Sequence, residues 1–416
     1  MKKTAILLLL AFAAMFSTLR AQSPGDLENI LIQISADSVY ATVQDLQNFG
    51  SRFAVRGYGS SDGNKDVALY IAQRLENYGI TTEIDSFYIQ GATGPFGVFL
   101  YQWFYNVKGV FPASNPIDDS LILVGAHLDA IALSYSKVNI VNAPGADDNA
   151  SGVAVMLELA RIIHENSLQF RRDIHFMAFD LEELGLLGSA YDAQKRSEAG
   201  EKIALMMNND MVSNQPEDED WKLTLRWYDN AVDAANRAAA ICEQYTTLEP
   251  VILPETENWE LATRSDSYSY YRVGYRAIFA HEYTFSSSYH TVNDVTDSCN
   301  YPYLAEVARY NMAMLTAYAD PTSDVGVENH PAISRTYAYP NPSCGKVILQ
   351  YPLEQDSPVS ISVLDLRGCT LLHYDNGIQS AGICHSELDL SSLPAGLYLC
   401  QIRTGNSIET LKLLRQ

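Results

Sequence analysis

Three clusters of metal-binding residue types follow one another in the middle of this chain. His127-Leu128-Asp129 comes first, an octapeptide with the sequence GADDNASG at 145–152 comes second, and Glu182-Glu183 comes third. Each cluster follows an apolar run typical of a buried strand, and open α/β sheets place their chemistry just beyond the carboxyl ends of such strands. The pattern therefore predicts a metal-dependent hydrolase.

The elements that position these clusters are predicted from the apolar periodicity. Continuous apolar runs predict four buried strands, at 121–124, 174–179, 203–207 and 277–280. Apolar residues at helical spacing predict one helix over 62–78 and another that begins at Val153. Residues 105–110 are predicted to form an edge strand. Alternating strands and helices indicate an α/β fold, a mostly parallel sheet with helices on both faces, so the polar clusters should open onto one edge.

The N-terminus has the pattern of a secretory signal peptide. Lys2 and Lys3 precede an apolar run from Ala5 to Phe16, and a small-residue cleavage site ends at Ala21. This run is too short to span a bilayer comfortably, and no later segment approaches about 18 uninterrupted apolar residues. We expect an exported protein without a transmembrane helix.

The chain is strongly acidic. It contains 28 basic and 50 acidic residues, for a formal charge of −22. Residues 1–21 hold three of the basic residues and no acidic one, which leaves 25 basic against 50 acidic residues, a charge of −25, in the mature chain. Such a surface disfavours nucleic acid and anionic membranes as partners.

Length and composition predict two domains after the signal peptide at 1–21. We expect a catalytic domain at 22–319, a polar linker at 320–337 and a smaller domain at 338–416. Short strand candidates at 347–349, 359–364, 397–402 and 408–414 predict that the smaller domain is an all-β sandwich. Six cysteines occur without Cys-x-x-Cys spacing, so a thiolate zinc site is not expected, and their pairing stays open.

From Leu46 to Tyr318 the chain resembles the co-catalytic zinc aminopeptidase family, which also includes glutamate carboxypeptidases and glutaminyl cyclases. The resemblance is strongest from Leu121 to Asp210. It implies two zinc ions in the catalytic domain, and oxygen and nitrogen ligands also allow cobalt or manganese as substitutes. The ligands that it implies are His127, Asp147, Glu183, Asp210 and His290. Asp147 is expected to bridge both metals, held by a cis peptide to the next residue, and His281 is the alternative to His290.

The same resemblance implies the residues that would do the chemistry. Asp129 is expected to orient the imidazole of His127, and Glu182 to act as general base on a metal-activated water. Tyr289 either donates a hydrogen bond to a developing oxyanion or serves in packing. Many peptidases of the family have Ser-Asp-His before the last core strand, whereas this chain has Ser265-Asp266-Ser267 and lacks that histidine.

The last domain resembles the C-terminal sorting domain of the type IX secretion system. Three motifs carry the resemblance, Tyr339–Pro342, Ile361–Gly368 and Leu393–Tyr398, in that order. It implies that the type IX secretion machinery is a partner and that the protein is secreted or attached to the cell surface. A small carbohydrate- or protein-binding sandwich is the alternative interpretation.

The leading hypothesis is an exported zinc aminopeptidase that acts on peptides. A glutaminyl-peptide cyclase with a single metal and a metallocarboxypeptidase are rivals of the same fold, and Arg264, Arg272 and Arg276 could supply the cation that a carboxypeptidase needs. A catalytically inactive binding module is a further rival, which predicts a missing ligand or base. The pattern does not indicate which N-terminal residue is preferred.

Overall fold

The computed structural model describes residues 25–53, 64–93, 99–134, 137–138, 142–216, 220–255, 259–322, 336–339, 343, 345–353, 355–405 and 407–415. The predicted signal peptide at 1–21 and residues 323–335 of the predicted linker lie outside the described residues. The chain divides into two compact units, one on either side of 323–335. Their exact domain bounds stay a prediction.

The larger unit is built on an eight-stranded mixed sheet with the strand order β1-β2-β6-β3-β7-β10-β8-β9. In chain order the strands of this unit are β1 (Thr81–Thr93), β2 (Phe99–Phe111), β3 (Ser120–His127), β4 (Leu133–Ser134), β5 (Lys137–Val138), β6 (Asp173–Phe179), β7 (Lys202–Asn209), β8 (Lys222–Trp227), β9 (Glu249–Pro254) and β10 (Ala277–Glu282). The short strands β4 and β5 pair with each other outside the main sheet. The four central strands, β6, β3, β7 and β10, are parallel, and antiparallel pairings extend the sheet on both sides.

Helices cover both faces of this sheet, as predicted. In chain order they are α1 (Gly25–Leu31), α2 (Ala36–Gln47), α3 (Lys65–Asn77), α4 (Gly152–Glu165), α5 (Leu187–Ala199), α6 (Val232–Tyr245), α7 (Trp259–Ala262), α8 (Ser267–Arg272) and α9 (Tyr301–Ala319). On one face, α1 to α4, α6 and α9 pack into a large apolar core, and α4 is buried along most of its length. On the other face, α5 and α8 pack together over a smaller core around Phe179 and Tyr270.

The strand predicted at 105–110 forms, but its predicted placement at the sheet edge is wrong. These residues belong to β2, which lies between β1 and β6, so β1 is the edge strand. An inner position is possible because the amide of Asn106 finds partners inside the fold. The Asn106 side chain accepts a hydrogen bond from the backbone N–H of Asp180 at 3.0 Å and donates to the Gly188 carbonyl at 2.9 Å.

The four central strands end at the same edge of the sheet. His127 ends β3, Asp180 follows β6, Asp210 follows β7, and Glu282 ends β10. Because these strands are parallel, the polar residues beyond their carboxyl ends are brought together although they are far apart in sequence. Among the described residues, no helix is long and apolar enough to span a membrane.

The smaller unit consists of two antiparallel sheets that share one apolar core, as a small β-sandwich does. Its strands are β11 (Tyr337–Tyr339), β12 (Lys346–Leu353), β13 (Ser357–Leu364), β14 (Thr370–Gln379), β15 (Gly382–Asp389), β16 (Gly396–Thr404) and β17 (Ser407–Arg415). Alternate residues such as Val359, Ile361 and Val363 face the core, which is the period-2 pattern of a strand covered on one face. The cysteines that the structure describes, Cys242, Cys299, Cys369, Cys384 and Cys400, are free thiols.

One buried histidine makes the stability of the larger unit depend on pH. The Nη1 atom of Arg196 lies 2.9 Å from Nδ1 of His175 in β6, which requires a neutral imidazole acceptor. Burial and the positive charges of Arg196 and Lys108 lower the pKa of His175 from 6.5 to about 3. Since the folded-state pKa is below the unfolded value, the stabilisation is present above pH 6.5 and is lost as the pH falls toward 3.

We expect the wild-type protein to lose about 1 to 2 kcal/mol more unfolding free energy than His175→Gln between pH 7 and pH 5. Glutamine can accept the same hydrogen bond but does not take up a proton in this range. Urea unfolding followed by tryptophan fluorescence measures this difference. All four tryptophans lie before residue 260, so the signal reports on the larger unit, which contains His175. Equal losses of unfolding free energy in the two proteins would contradict the prediction that His175 is neutral in the folded state.

Candidate metal centre

One carboxylate lies between two histidines at the carboxyl edge of the sheet. Asp148 Oδ1 is 3.1 Å from Nε2 of His127, and its Oδ2 is 3.2 Å from Nε2 of His290. Nε2 of His127 is also 3.2 Å from Oδ1 of Asp210, and Nε2 of His290 is 2.8 Å from Oε2 of Glu183. The five side chains thus form two groups that share Asp148 through its two different oxygens.

Each group could hold one metal ion. His127, Asp148 and Asp210 form one group, and Asp148, Glu183 and His290 form the other. Within each group the candidate ligand atoms lie within 4.8 Å of one another, and they are imidazole nitrogens and carboxylate oxygens. Such a donor set suits zinc, and two groups joined by one carboxylate suit a two-metal site.

The structure corrects the sequence-based assignment of the shared carboxylate by one residue. Asp147 does not face the histidines; its Oδ1 accepts hydrogen bonds from the backbone N–H and the hydroxyl of Ser213, at 2.9 Å and 2.7 Å. The cis peptide bond also lies one residue later than expected, between Asp148 and Asn149. Because adjacent residues on this turn point in different directions, only one of the two aspartates can reach the histidines, and it is Asp148.

Asp129 ties the first histidine to the glutamate pair. The carbonyl oxygen of Asp129 is 3.1 Å from Nδ1 of His127, and its Oδ1 is 3.5 Å from the same atom, so Nε2 faces the metal groups. The carboxylate also accepts the backbone N–H groups of Glu182 and Glu183, at 3.1 Å and 3.3 Å. This places Asp129 behind His127, on the side of the imidazole away from the two groups.

The turn that carries Asp148 depends on close backbone approaches. Gly145 has a φ of +54°, and a Cβ atom there would lie 2.4 Å from the Asp148 carbonyl oxygen. A Cβ atom on Gly152 would lie 2.2 Å from the carbonyl oxygen of Asn209, at the end of β7. The buried guanidinium of Arg52 donates to the Gly145 carbonyl at 2.7 Å and to the Leu128 carbonyl at 3.0 Å. The two glycines and Arg52 thus bring this turn against the ends of β3 and β7.

Backbone strain is concentrated next to the same residues. Leu181, Met211 and His290 have φ values of 62°, 57° and 54°, a region that residues other than glycine adopt at a cost of about 1–3 kcal/mol. Leu181 precedes the glutamate pair and Met211 follows Asp210. Strain of this kind tends to be retained at functional sites, where it fixes the direction of a side chain.

The centre buries more negative than positive charge. Burial raises the pKa of Glu183 to about 7 and the pKa of Glu182 well above its usual range. Burial alone would lower the pKa of His290, but the neighbouring Glu183 and Asp148 raise it to about 10. One oxygen of Glu183, Oε1, is buried without a hydrogen-bond partner. Divalent cations would neutralise the excess charge and fill this coordination position, so the residues fit a metal centre.

A cleft opens beside the two groups. Asp148, Glu182, Asp210 and His290 form its polar side. Its other walls are Met211, Leu261, Arg264, Phe279, His281, Phe285 and Tyr289. Glu182 therefore faces the cleft while its neighbour Glu183 points to His290, as expected for adjacent residues on an extended turn.

The two residues that the sequence left open occupy different positions in this cleft. The ring of Tyr289 stacks on His290 with centroids 3.7 Å apart, so its ring packs beside a ligand candidate while lining the cleft. His281 lies in the wall but outside both groups. Its Nε2 accepts a hydrogen bond from Nε of Arg226 at 2.9 Å, and its Nδ1 is 2.6 Å from the Glu282 carbonyl. The structure thus brings His290, and not His281, to Glu183.

Comparison with known proteins agrees with this geometry. Residues 106–315 match the family model described as peptidase family M28. The chain belongs to peptidase family M28. This part of the M28 chain includes every residue of both metal groups, from His127 to His290.

Individual relatives share parts of this M28 chain. A probable zinc metalloprotease from Pyrenophora tritici-repentis is 34% identical over 199 residues, which cover 45% of this chain and 44% of that protein. Aminopeptidase YwaD from Bacillus subtilis is 36% identical over 143 residues, 34% of this chain and 28% of that protein. The chain spans less than half the length of these curated relatives.

A solved structure shows that the fold itself is compatible with another reaction. Porphyromonas gingivalis glutaminyl cyclase aligns with a TM-score of 0.54 over 68% of this chain and 97% of that chain, at 22% identity. At this identity the likeness shows the shared fold, and the activity has to be argued from the site.

The smaller unit is a sorting domain. Residues 337–416 match the family model described as secretion system C-terminal sorting domain. The type IX sorting domain marks the M28 chain for export, to the cell surface or the medium. Of the motif at Tyr339–Pro342, the last three residues lie outside the described part of the chain.

Two residues of the site were not singled out as functional in the sequence. The Ser265 hydroxyl donates to Oδ2 of Asp210 at 2.6 Å and accepts from Nδ2 of Asn208 at 2.6 Å, which orients that carboxylate. The backbone N–H groups of Asp147 and Asp148 donate to the two oxygens of Asp294. Ser265 belongs to the Ser-Asp-Ser segment that was noted for its missing histidine, whereas Asp294 had no signal in the sequence.

We predict that Gly152→Ala weakens zinc binding by about tenfold or more, because the new methyl group must push the Asp148 turn away from the end of β7. Equilibrium dialysis of the apo protein against zinc measures this. Gly109→Ala is the matched control: its Cβ would lie 2.9 Å from Leu75 Cδ1, in the core and away from the metal groups. A lower melting temperature with unchanged zinc affinity is expected for this control, and the same result for Gly152→Ala would contradict the prediction.

Proposed function

We propose that the protein is an exported zinc aminopeptidase that removes N-terminal residues from peptides with the help of two zinc ions. The observation that carries this proposal is the position of Asp148 between two separate groups of ligands. A single-metal cyclase has no use for a second complete group. No ligand position is filled by an inert residue, which speaks against an inactive binding module. The proposed domains remain 22–319 for catalysis, 320–337 as linker and 338–416 for sorting.

In this proposal one zinc ion would be held by His127, Asp148 and Asp210, and the other by Asp148, Glu183 and His290. Bound zinc would polarise the scissile carbonyl group and lower the pKa of a water molecule at the site. The donor types and the excess buried negative charge support this assignment.

Glu182 is the proposed general base. It lines the cleft beside the ligands without belonging to either group. It takes a proton from the attacking water and returns it to the leaving amine. Asp129 holds the backbone of Glu182 and Glu183 in place, and Tyr289 donates a hydrogen bond to the developing oxyanion.

The cleft supports a preference for apolar N-terminal side chains. Met211, Leu261, Phe279 and Phe285 contribute its apolar walls. Arg264, whose Nη2 lies 3.0 Å from Oε1 of Glu260, is the arginine that lines the cleft.

The protein from Gln22 onward should shorten unblocked peptides stepwise from the N-terminus, and fastest where the first residue is large and apolar. A chelator should abolish this and added zinc should restore it, with products identified by mass spectrometry. Trimming from the C-terminus would favour the carboxypeptidase alternative. Loss of ammonia from peptides with N-terminal glutamine, without shortening, would favour the glutaminyl-peptide cyclase.

Glu182→Gln should lower kcat by about 10²–10⁴-fold, because the amide cannot accept the proton from water. The zinc content should stay at the wild-type level, since Glu182 belongs to neither ligand group. Glu255→Gln is the matched control, a buried glutamate that accepts the backbone N–H of Asp229 at 3.1 Å and is expected to retain activity. If Glu182→Gln lost zinc along with activity, its role would be that of a ligand.

A further inference from the structure

Three buried carboxyl groups surround the metal centre without taking part in either ligand group. They are Asp147, Glu282 and Asp294, and their exposed fractions are 2%, 0% and 2%. Burying a carboxyl group is costly unless it is well hydrogen-bonded. Each of the three accepts hydrogen bonds from the backbone of a segment that carries a proposed ligand. We call these segments the Asp148 turn (145–148), the Asp210 loop (210–214) and the His290 loop (286–294).

Asp294 joins the Asp148 turn to the His290 loop. Its Oδ1 accepts the backbone N–H of Asp147 at 2.8 Å, and its Oδ2 accepts that of Asp148 at 3.0 Å. Its carbonyl oxygen accepts the N–H of Ala146 at 3.1 Å. Three consecutive N–H groups of the turn are thus bound to one residue, which lies four positions after His290.

Asp147 joins the Asp148 turn to the Asp210 loop. Its Oδ1 receives two hydrogen bonds from Ser213, three positions after Asp210. A second connection runs parallel to it: the Ser151 hydroxyl donates to the Asp147 carbonyl at 2.6 Å and accepts the N–H of Val212 at 3.2 Å. The shared carboxylate of Asp148 is therefore held at a set distance from Asp210.

Glu282 joins the Asp210 loop to the His290 loop. Its Oε2 accepts the N–H of Asn214 in the Asp210 loop at 2.9 Å, and its Oε1 accepts the N–H of Ser286 in the His290 loop at 2.8 Å. The carboxyl groups of Glu282 and Asp147 face each other. The three carboxyl groups thus link the three segments pairwise, as the edges of a triangle.

We propose that this carboxyl triangle positions the ligands of the two metal ions separately. The Asp294 edge sets the distance between Asp148 and His290 and so governs the site of Glu183 and His290. The Asp147 edge sets the distance between Asp148 and Asp210 and so governs the site of His127 and Asp210. Asp147 and Asp294 are positioning residues, because they act through the backbone that carries ligands. The inference rests on the proposed two-zinc function.

The test is stepwise zinc binding to the full apo protein, measured against a competing chelator. Asp294→Asn should lower the affinity for one of the two zinc ions by about 10–100-fold, because the amide NH2 would face a backbone N–H group. The affinity for the other zinc ion should stay at the wild-type value. Asp147→Ala should lower the affinity for one zinc ion by a similar factor. Asp147→Asn should restore the affinity, since its carbonyl oxygen can still accept from Ser213 while its amide faces Glu282.

A second substitution identifies the affected site. Combined with His290→Ala, which removes a ligand of one site, Asp294→Asn should cause no further loss at the remaining zinc ion. Asp147→Ala should still weaken that remaining ion, because His127 and Asp210 hold it. If Asp147→Ala fails to fold, Ser213→Ala gives the milder test, since it removes one of the two bonds to Asp147 and should weaken the same ion a few-fold.

Asp192→Asn is the control for a general loss of stability. Asp192 is equally buried in the same unit, but its carboxylate accepts hydrogen bonds from Arg196 and Tyr270, which belong to none of the three segments. It should lower the melting temperature without changing either zinc affinity. The triangle proposal would be overturned if Asp294→Asn and Asp147→Ala behaved like this control, or if they lowered the affinity for both zinc ions equally. A wild-type protein that binds fewer than two zinc ions would overturn the two-zinc proposal, and the triangle with it.

Discussion

Negative charge buried at one edge of the sheet is the constraint on which the rest of the structure depends. Asp148, Glu182, Glu183 and Asp210 lie together with two imidazoles, and such a group is unfavourable inside a protein unless cations or hydrogen bonds compensate it. Asp148 lies at the centre of this cluster, because each of its carboxylate oxygens faces a different histidine. Two divalent ions on either side of it would satisfy the charge.

The acidic residues are held together mainly by the backbone of the fold, and less by side chains of opposite charge. Parallel strands β3, β6, β7 and β10 deliver their polar ends to one edge, and glycines at 145 and 152 let the Asp148 turn approach β7. Behind the ligands, Asp129 accepts the N–H groups of the glutamate pair and Asp294 those of the aspartate pair. The positions of the proposed ligands are thus determined by hydrogen bonds within the protein.

Much of the fold and the clustering of polar residues could be predicted from the sequence, because buried parallel strands are continuous apolar runs whose ends are marked by polar residues. The choice between Asp147 and Asp148 could not. Both are aspartates on the same turn, and their directions are set by contacts with Ser213 and Asp294, 66 and 147 residues away. The inner position of β2 was missed for a similar reason, since Asn106 finds its partners in Asp180 and Gly188.

The sharing of Asp148 is the central claim, and anomalous diffraction at the zinc absorption edge tests it most directly. Crystals of the zinc-loaded protein should show two peaks, one beside each carboxylate oxygen of Asp148 and roughly 3.5–4 Å apart, as in other two-metal sites. A single peak, or a pair of peaks bridged by Asp147, would contradict the account.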